Sequence, residues 1–229
     1  MSGYYFLIFL AVAGLIASFD PLILSIFLSL AFGLRGQDLS NNKQRLVIWA
    51  YIATYSLAIA AISALIVSAL NAAPLRLTVV LAIITAVAAN LWGLVHIYNY
   101  FWYRSFGKTP KVLHYHLHKR TNRINSIEDI GTLAAITIGA SIYNMLIIIS
   151  SFSVLMFLIS SRVLYWPLAL GLVFSLPLFL INSQLARGIH LSTFVKWKEN
   201  SKQIFELNLG LLSIFLGWLI FLSLNGVFR

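Results

Sequence analysis

One acid stands deep inside an apolar run of this chain, in the stretch Gly14-Leu-Ile-Ala-Ser18-Phe-Asp20-Pro21-Leu-Ile-Leu-Ser25. A charge at such a depth in lipid costs about 2.5–3.5 kcal/mol on the insertion scale unless it is paired, hydrated or protonated. Pro21 has no N–H, its ring opposes the carbonyl of Ala17, and it biases Asp20 away from the helical region, so a kink or break is expected there. The freed carbonyls and the N-terminus of a second half-helix would form a spot sensitive to ions and dipoles. Two readings of Asp20 follow. It caps the second half-helix or bonds a neighbouring helix, or it contacts a transported ion, proton or solute.

Other polar residues in apolar surroundings extend the search. Gly131, Ala135 and Gly139 recur every fourth residue ahead of Ser141 and Asn144, a face of small side chains suited to close helix packing. Asn144 reads either as an interhelical hydrogen-bonding residue or as the counterpart of Asp20. Pro177, in Ser175-Leu-Pro177, reads either as a packing kink or as a second helix break ahead of Asn182-Ser183-Gln184. His96 reads as a satisfied structural histidine or as a proton relay. His114, His116 and His118 alternate as metal ligands on a strand would, but on a helix only His114 and His118 share a face. Cations surround them, and the next acids are Glu128 and Asp129. A basic, lipid-facing segment is the better reading, and no metal or cofactor is expected. The chain has no cysteine, which removes thiol nucleophiles, thiolate metal sites and thiol relays. Two convergent acids, a metal triad and a nucleophile–base pair are also missing from the pattern, so the chain reads as non-enzymatic.

These residues must be positioned by membrane helices. Of the 229 residues 60% are apolar and 10% charged, against about 45–50% and about 25% in soluble domains. Apolar runs at Tyr4–Leu34, Leu46–Leu70, Leu77–Tyr103, Ile130–Ser160, Val163–Asn182 and Phe205–Phe228 each suffice for a hydrocarbon core of about 30 Å. The expected fold is all-α, a polytopic membrane protein with six transmembrane helices. The first run carries Asp20-Pro21 and no basic leader, so it reads as a retained span, not a signal peptide.

The net charge of +10 is distributed unevenly. Loops one, three and five hold thirteen of the sixteen Lys and Arg residues; Arg76, Arg162 and Arg229 are the remainder. The positive-inside rule makes the basic loops cytoplasmic and both termini external, in a membrane of the prokaryotic inner type. Anionic lipid, not nucleic acid, is the expected partner of this charge. An external N-terminus gives spans one to three and spans four to six opposite senses. The chain then divides into a three-helix repeat over 1–103, a basic linker over 104–129 and a second three-helix repeat over 130–229, an inverted 3+3 plan known from secondary transporters.

The run from Gly14 to Leu24 around Asp20-Pro21, with a small-residue-rich fourth span carrying Asn144, resembles the lysine exporter superfamily. That group includes amino-acid exporters, divalent-cation transporters and cytochrome c biogenesis transmembrane proteins. The resemblance implies a six-span, three-plus-three fold, with Asp20, Pro21 and Asn144 as solute-handling positions. The thiol-transferring branch has a proline-cysteine pair in span one and a cysteine in span four. Here Leu22 follows Pro21 and span four has no cysteine, so reductant transfer is not implied; Met145 also stands where the family has a proline after the asparagine.

The resulting expectation is a small secondary transporter or exporter of a solute or ion. Asp20 and Asn144 would bind the substrate or ion, Pro21 and Pro177 would break helices, and Gly131, Ala135 and Gly139 would pack them. The alternative is a non-catalytic subunit or assembly factor of a larger membrane complex, or a homo-oligomer, held by the small-residue faces and basic loops.

Overall fold

The computed structural model describes residues 3–35, 40–106, 127–159, 165–187 and 190–226. The histidine cluster at 114–118 and Arg162 lie outside the described residues. Among those described there are seven helices and no strand: α1 (Gly3–Ser18), α2 (Pro21–Arg35), α3 (Asn41–Ala72), α4 (Leu75–Phe106), α5 (Ile127–Ile159), α6 (Trp166–Ala186) and α7 (Leu191–Leu224).

Four of them, α3, α4, α6 and α7, are long and apolar enough to cross a membrane, and the bent pair α1–α2 makes a fifth if it is one broken span and not a re-entrant loop. Within α5 the described apolar stretch is Met145–Ile159. This all-helical, apolar architecture is that of an integral membrane protein. Large apolar side chains such as Leu57 and Leu65 on α3, Ile84 and Leu91 on α4 and Trp218 on α7 point outward, as they do where the surroundings are lipid.

Local sequence sets the ends of these helices. Ala73 is extended because it precedes Pro74, which closes α3. Thr78 Oγ1 then donates to the Leu70 carbonyl at 3.3 Å across the α3–α4 turn. Pro167 stands in the first turn of α6, where its missing N–H costs nothing. Gly226, at φ +79°, ends α7 in the left-handed conformation that glycine adopts without strain.

The core gathers around α2. Ile23, Leu24, Ile26, Phe27, Leu28, Leu30, Ala31 and Leu34 are all buried, so α2 is enclosed on most sides by other helices. Phe152 of α5 and Phe174 of α6 meet edge to face at 6.0 Å. Ser63 of α3 and Ser153 of α5 share a buried hydrogen bond of 2.8 Å. Two long pairs dominate the packing, α4 with α7 and α3 with α6.

Both pairs are antiparallel. On α4 and α7, the backbones of Gly93 and Gly210 approach each other while Gly217 lies against Ala86 and Asn90. On α3 and α6, Trp49 meets Phe179 at 4.9 Å and Ser56 lies against Gly171.

Candidate functional site

Span one is two helices that meet at Phe19–Asp20 with a bend of 59°. α1 closes with the Phe19 N–H donating to the Ile16 carbonyl at 3.3 Å, and α2 opens with the Leu24 N–H donating to the Asp20 carbonyl at 3.1 Å. Pro21 is the first residue of α2, where a proline starts a helix without losing a hydrogen bond. Asp20 therefore stands at the N-cap of α2, beside the positive end of its dipole. The carboxylate is buried, 2% exposed.

The wall opposite belongs to α3. Tyr55 lies within electrostatic reach of both Asp20 and Tyr51. Its hydroxyl is sealed from solvent and has no hydrogen-bond partner. Phe27 of α2 packs near Tyr51 at 6.1 Å. The Trp49–Phe179 and Ser56–Gly171 contacts bracket the two tyrosines on α3 and Ser175 and Pro177 on α6, so those four residues occupy one level of the bundle.

Pro177 does not break its helix. α6 runs uninterrupted from Trp166 to Ala186 with Pro177 buried inside it. The proline's effect is confined to the ladder bond it cannot donate to the Val173 carbonyl, while Ser175 Oγ donates to the Leu172 carbonyl at 2.9 Å. Interior packing holds α6 together where the sequence alone suggested an interruption.

Ring contacts fix the level of Asp20 within the bundle. Phe9 meets Phe215 at 5.3 Å, and Phe19 stacks on Phe205 at 5.9 Å, so α1 runs antiparallel to α7. Trp197 completes this cluster, 6.1 Å from Phe19. The break is thus level with the start of the apolar run Ser201–Leu224, at the basic-loop end of that span and away from its middle.

The same level holds a second ionisable group. His96 Nδ1 of α4 lies 2.5 Å from Glu206 Oε2 of α7. Trp92 meets the imidazole edge to face at 5.2 Å. Lys202, one turn before Glu206, interacts with it electrostatically. The pair forms because α4 and α7 touch at glycines: a Cβ on Gly93 would lie 2.6 Å from the Gly210 carbonyl oxygen.

Glu206 is the residue that sequence reasoning passed over. It stands at the margin of the sixth apolar run, yet the signal was available. His96 lies six residues before the end of the span Leu75–Trp102 and Glu206 five residues after the start of the span Ser201–Leu224, and the antiparallel packing of α4 on α7 brings those two ends together.

The other sequence candidates are not brought to Asp20 by any described contact. The Asn144 side chain lies outside the described residues. Ala135 is exposed, and a Cβ on Gly139 would meet nothing within 4 Å. Among the described residues, close glycine approaches are at Gly14, Gly93, Gly171, Gly210 and Gly217. Among the described residues no group of three or more His, Asp or Glu side chains could hold a metal ion.

Against family models, curated proteins and solved structures, the chain has no match. The functional reading therefore rests on the geometry.

Proposed function

We propose that this chain is a small secondary transporter or exporter of a solute or ion, with Asp20 as its binding or coupling carboxylate. The observation that carries the reading is a buried acid at a helix break, within electrostatic reach of a tyrosine hydroxyl that no described residue satisfies. Leaving such a hydroxyl unbonded costs about 1–3 kcal/mol, and a ligand between Tyr55 and Asp20 would recover it. Broken helices that point a dipole end into the bundle are how membrane transporters build ion and substrate sites.

The architecture we propose is six spans in two inverted halves, the plan of the lysine exporter superfamily. Helix contacts support it. Exchanging α1–α2 with α5, α3 with α6 and α4 with α7 converts the α1–α6 contact into α5–α3, and the contacts of α1 and α2 with α7 into α5–α4. The α3–α6, α4–α7 and α2–α5 contacts map onto themselves, whereas α5–α7 and α2–α3 fall outside the pattern. Gly93 and Gly210, nineteenth in α4 and twentieth in α7, occupy matching positions. In this arrangement both termini face outward and the basic loops lie in the cytoplasm of a prokaryotic-type cell.

The test is flux into liposomes of bacterial phosphatidylethanolamine and phosphatidylglycerol. Amino acids, divalent cations and small amphiphiles would be offered in turn, comparing wild type with Asp20→Asn. Normal folded yield with at least tenfold lower flux is expected. Equal flux removes Asp20 from the mechanism.

A second reading, a subunit of a larger membrane complex, is favoured by the open face of Ala135 and Gly139, a small-residue surface that no helix of this chain covers within the described residues. A stoichiometric partner retained by wild type and lost with Gly139→Leu, in a protein that moves no solute, would select it.

A further inference from the structure

We propose that His96, Glu206 and Lys202 form the proton-binding station of this protein, so that the coupling ion of the transport cycle is a proton. The inference rests on the transporter reading. It starts from a different observation, the imidazole–carboxylate pair at the contact of α4 and α7.

The geometry selects how the imidazole works. Its Nδ1 is 2.5 Å from Glu206 Oε2, so Nδ1–H donates to the carboxylate and Nε2 is left as the nitrogen that takes up a proton. The Trp92 indole, edge to face with the ring, fixes its orientation. The side chains of His96 and Glu206 retain 10% and 19% exposure, so the pair is not sealed inside the bundle. Neither property is needed by a purely structural bond, which is served equally well by a sealed neutral pair.

Charge counting shows what one proton does. On α7 Glu206 pairs with His96, and Lys202 interacts electrostatically with Glu206. On α4 its neighbours one turn away are Trp92 and Tyr100. Among the described side chains of α5, which packs on both helices, none is charged. From the α1–α2 break, Asp20 belongs to the same level through the Phe19–Phe205 stack. Among the groups just named, two carboxylates and one ammonium sum to one negative charge with neutral imidazole and to zero with imidazolium. A single proton therefore switches their electrostatics. One proton is taken from water at Nε2 and returned to water later in the cycle, and no other bond is made or broken.

The location gives the switch a mechanical consequence. α4 and α7 belong to different halves of the chain, and they touch backbone to backbone at Gly93 and Gly210, about one turn from His96. Strengthening or weakening the His96–Glu206 bond acts directly on the contact across which two halves would rock.

The experiment uses the same liposomes with a pH-sensitive dye inside and measures exchange of an amino-acid mixture, and separately of Mn2+, with and without an imposed pH gradient. Wild-type flux is expected to rise at least tenfold with the gradient. His96→Gln should lose that rise. Glu206→Gln keeps the imidazole but removes the carboxylate that accepts from it, so the rise with the gradient should fall several-fold. It serves as the reading if His96→Gln does not fold. Variants that respond to the gradient as wild type does would overturn the proton station alone, as would a wild type that exchanges solute but ignores the gradient. A wild type that moves none of the probes overturns the transporter reading and this inference with it.

Discussion

Tyr55 offers the sharpest test at the scale of a single residue. Its ring is fully buried and its hydroxyl has no hydrogen-bond partner among the described residues, a state that destabilises a fold by about 1–3 kcal/mol. Tyr55→Phe keeps the ring and deletes the unsatisfied group. A structural tyrosine so placed has no reason to be preferred over phenylalanine. The expected outcome is a thermal midpoint in detergent equal to or above wild type, together with flux lowered several-fold. A fall in stability with flux unchanged would show that the hydroxyl serves packing and would remove it from the site. Asp20 was legible from sequence because an acid before a proline in an apolar run breaks two rules at once. Tyr55 was not, since an aromatic in such a run is the ordinary case and only the fold shows which hydroxyl comes within reach of an acid.

Among elements, the contact of α4 with α7 is set by backbone proximity. A Cβ at position 93 would lie 2.6 Å from both the Gly210 oxygen and Ile214 Cγ1, so the helices must part to admit it. Gly93→Ala is expected to cost about 1–3 kcal/mol by overpacking and to lengthen the His96–Glu206 bond. Gly139→Ala meets open space within the chain and should stabilise by about 0.5–1 kcal/mol through the lower entropy of alanine in an unfolded helix. Thermal melts of the two variants check both signs; equal effects would contradict the assignment of the tight contact. Sequence reading chose the evenly spaced Gly131, Ala135 and Gly139 as packing positions because a four-residue repeat is visible in one helix. Gly93 and Gly210 form their contact across two helices far apart in the chain, and a pattern that exists only after folding leaves no periodic trace. The break before Pro21 was legible for the opposite reason, since proline acts on its own backbone. Pro177 shows the limit of that rule: the same residue inside a packed helix removes a bond without ending the helix.

For the whole molecule, the open question is the number of crossings, and it reduces to which loops share a side. Arg76 follows α3, and Arg162 stands between α5 and α6. They are separated by α4 and α5, so, with α4 crossing, they share a side only if α5 crosses too. Lys108 and Lys198 are likewise separated by α5 and α6. The antiparallel pairing of α3 with α6 and of α4 with α7 agrees with this parity, because spans two and five, and three and six, must run in opposite senses when all six cross. The absence of cysteine gives a clean background for single-cysteine labelling in intact cells. With an impermeant maleimide applied outside, cysteine at 76 and at 162 should react, and cysteine at 108 and at 198 should react only after permeabilisation. Reversal of all four would invert the orientation while keeping six spans, and the basic loops would then need a reason other than the positive-inside rule. Labelling at 76 without labelling at 162 would mean that α5 does not cross. The two halves would then differ in topology, and the contact of α4 with α7 could no longer lie on an axis relating them.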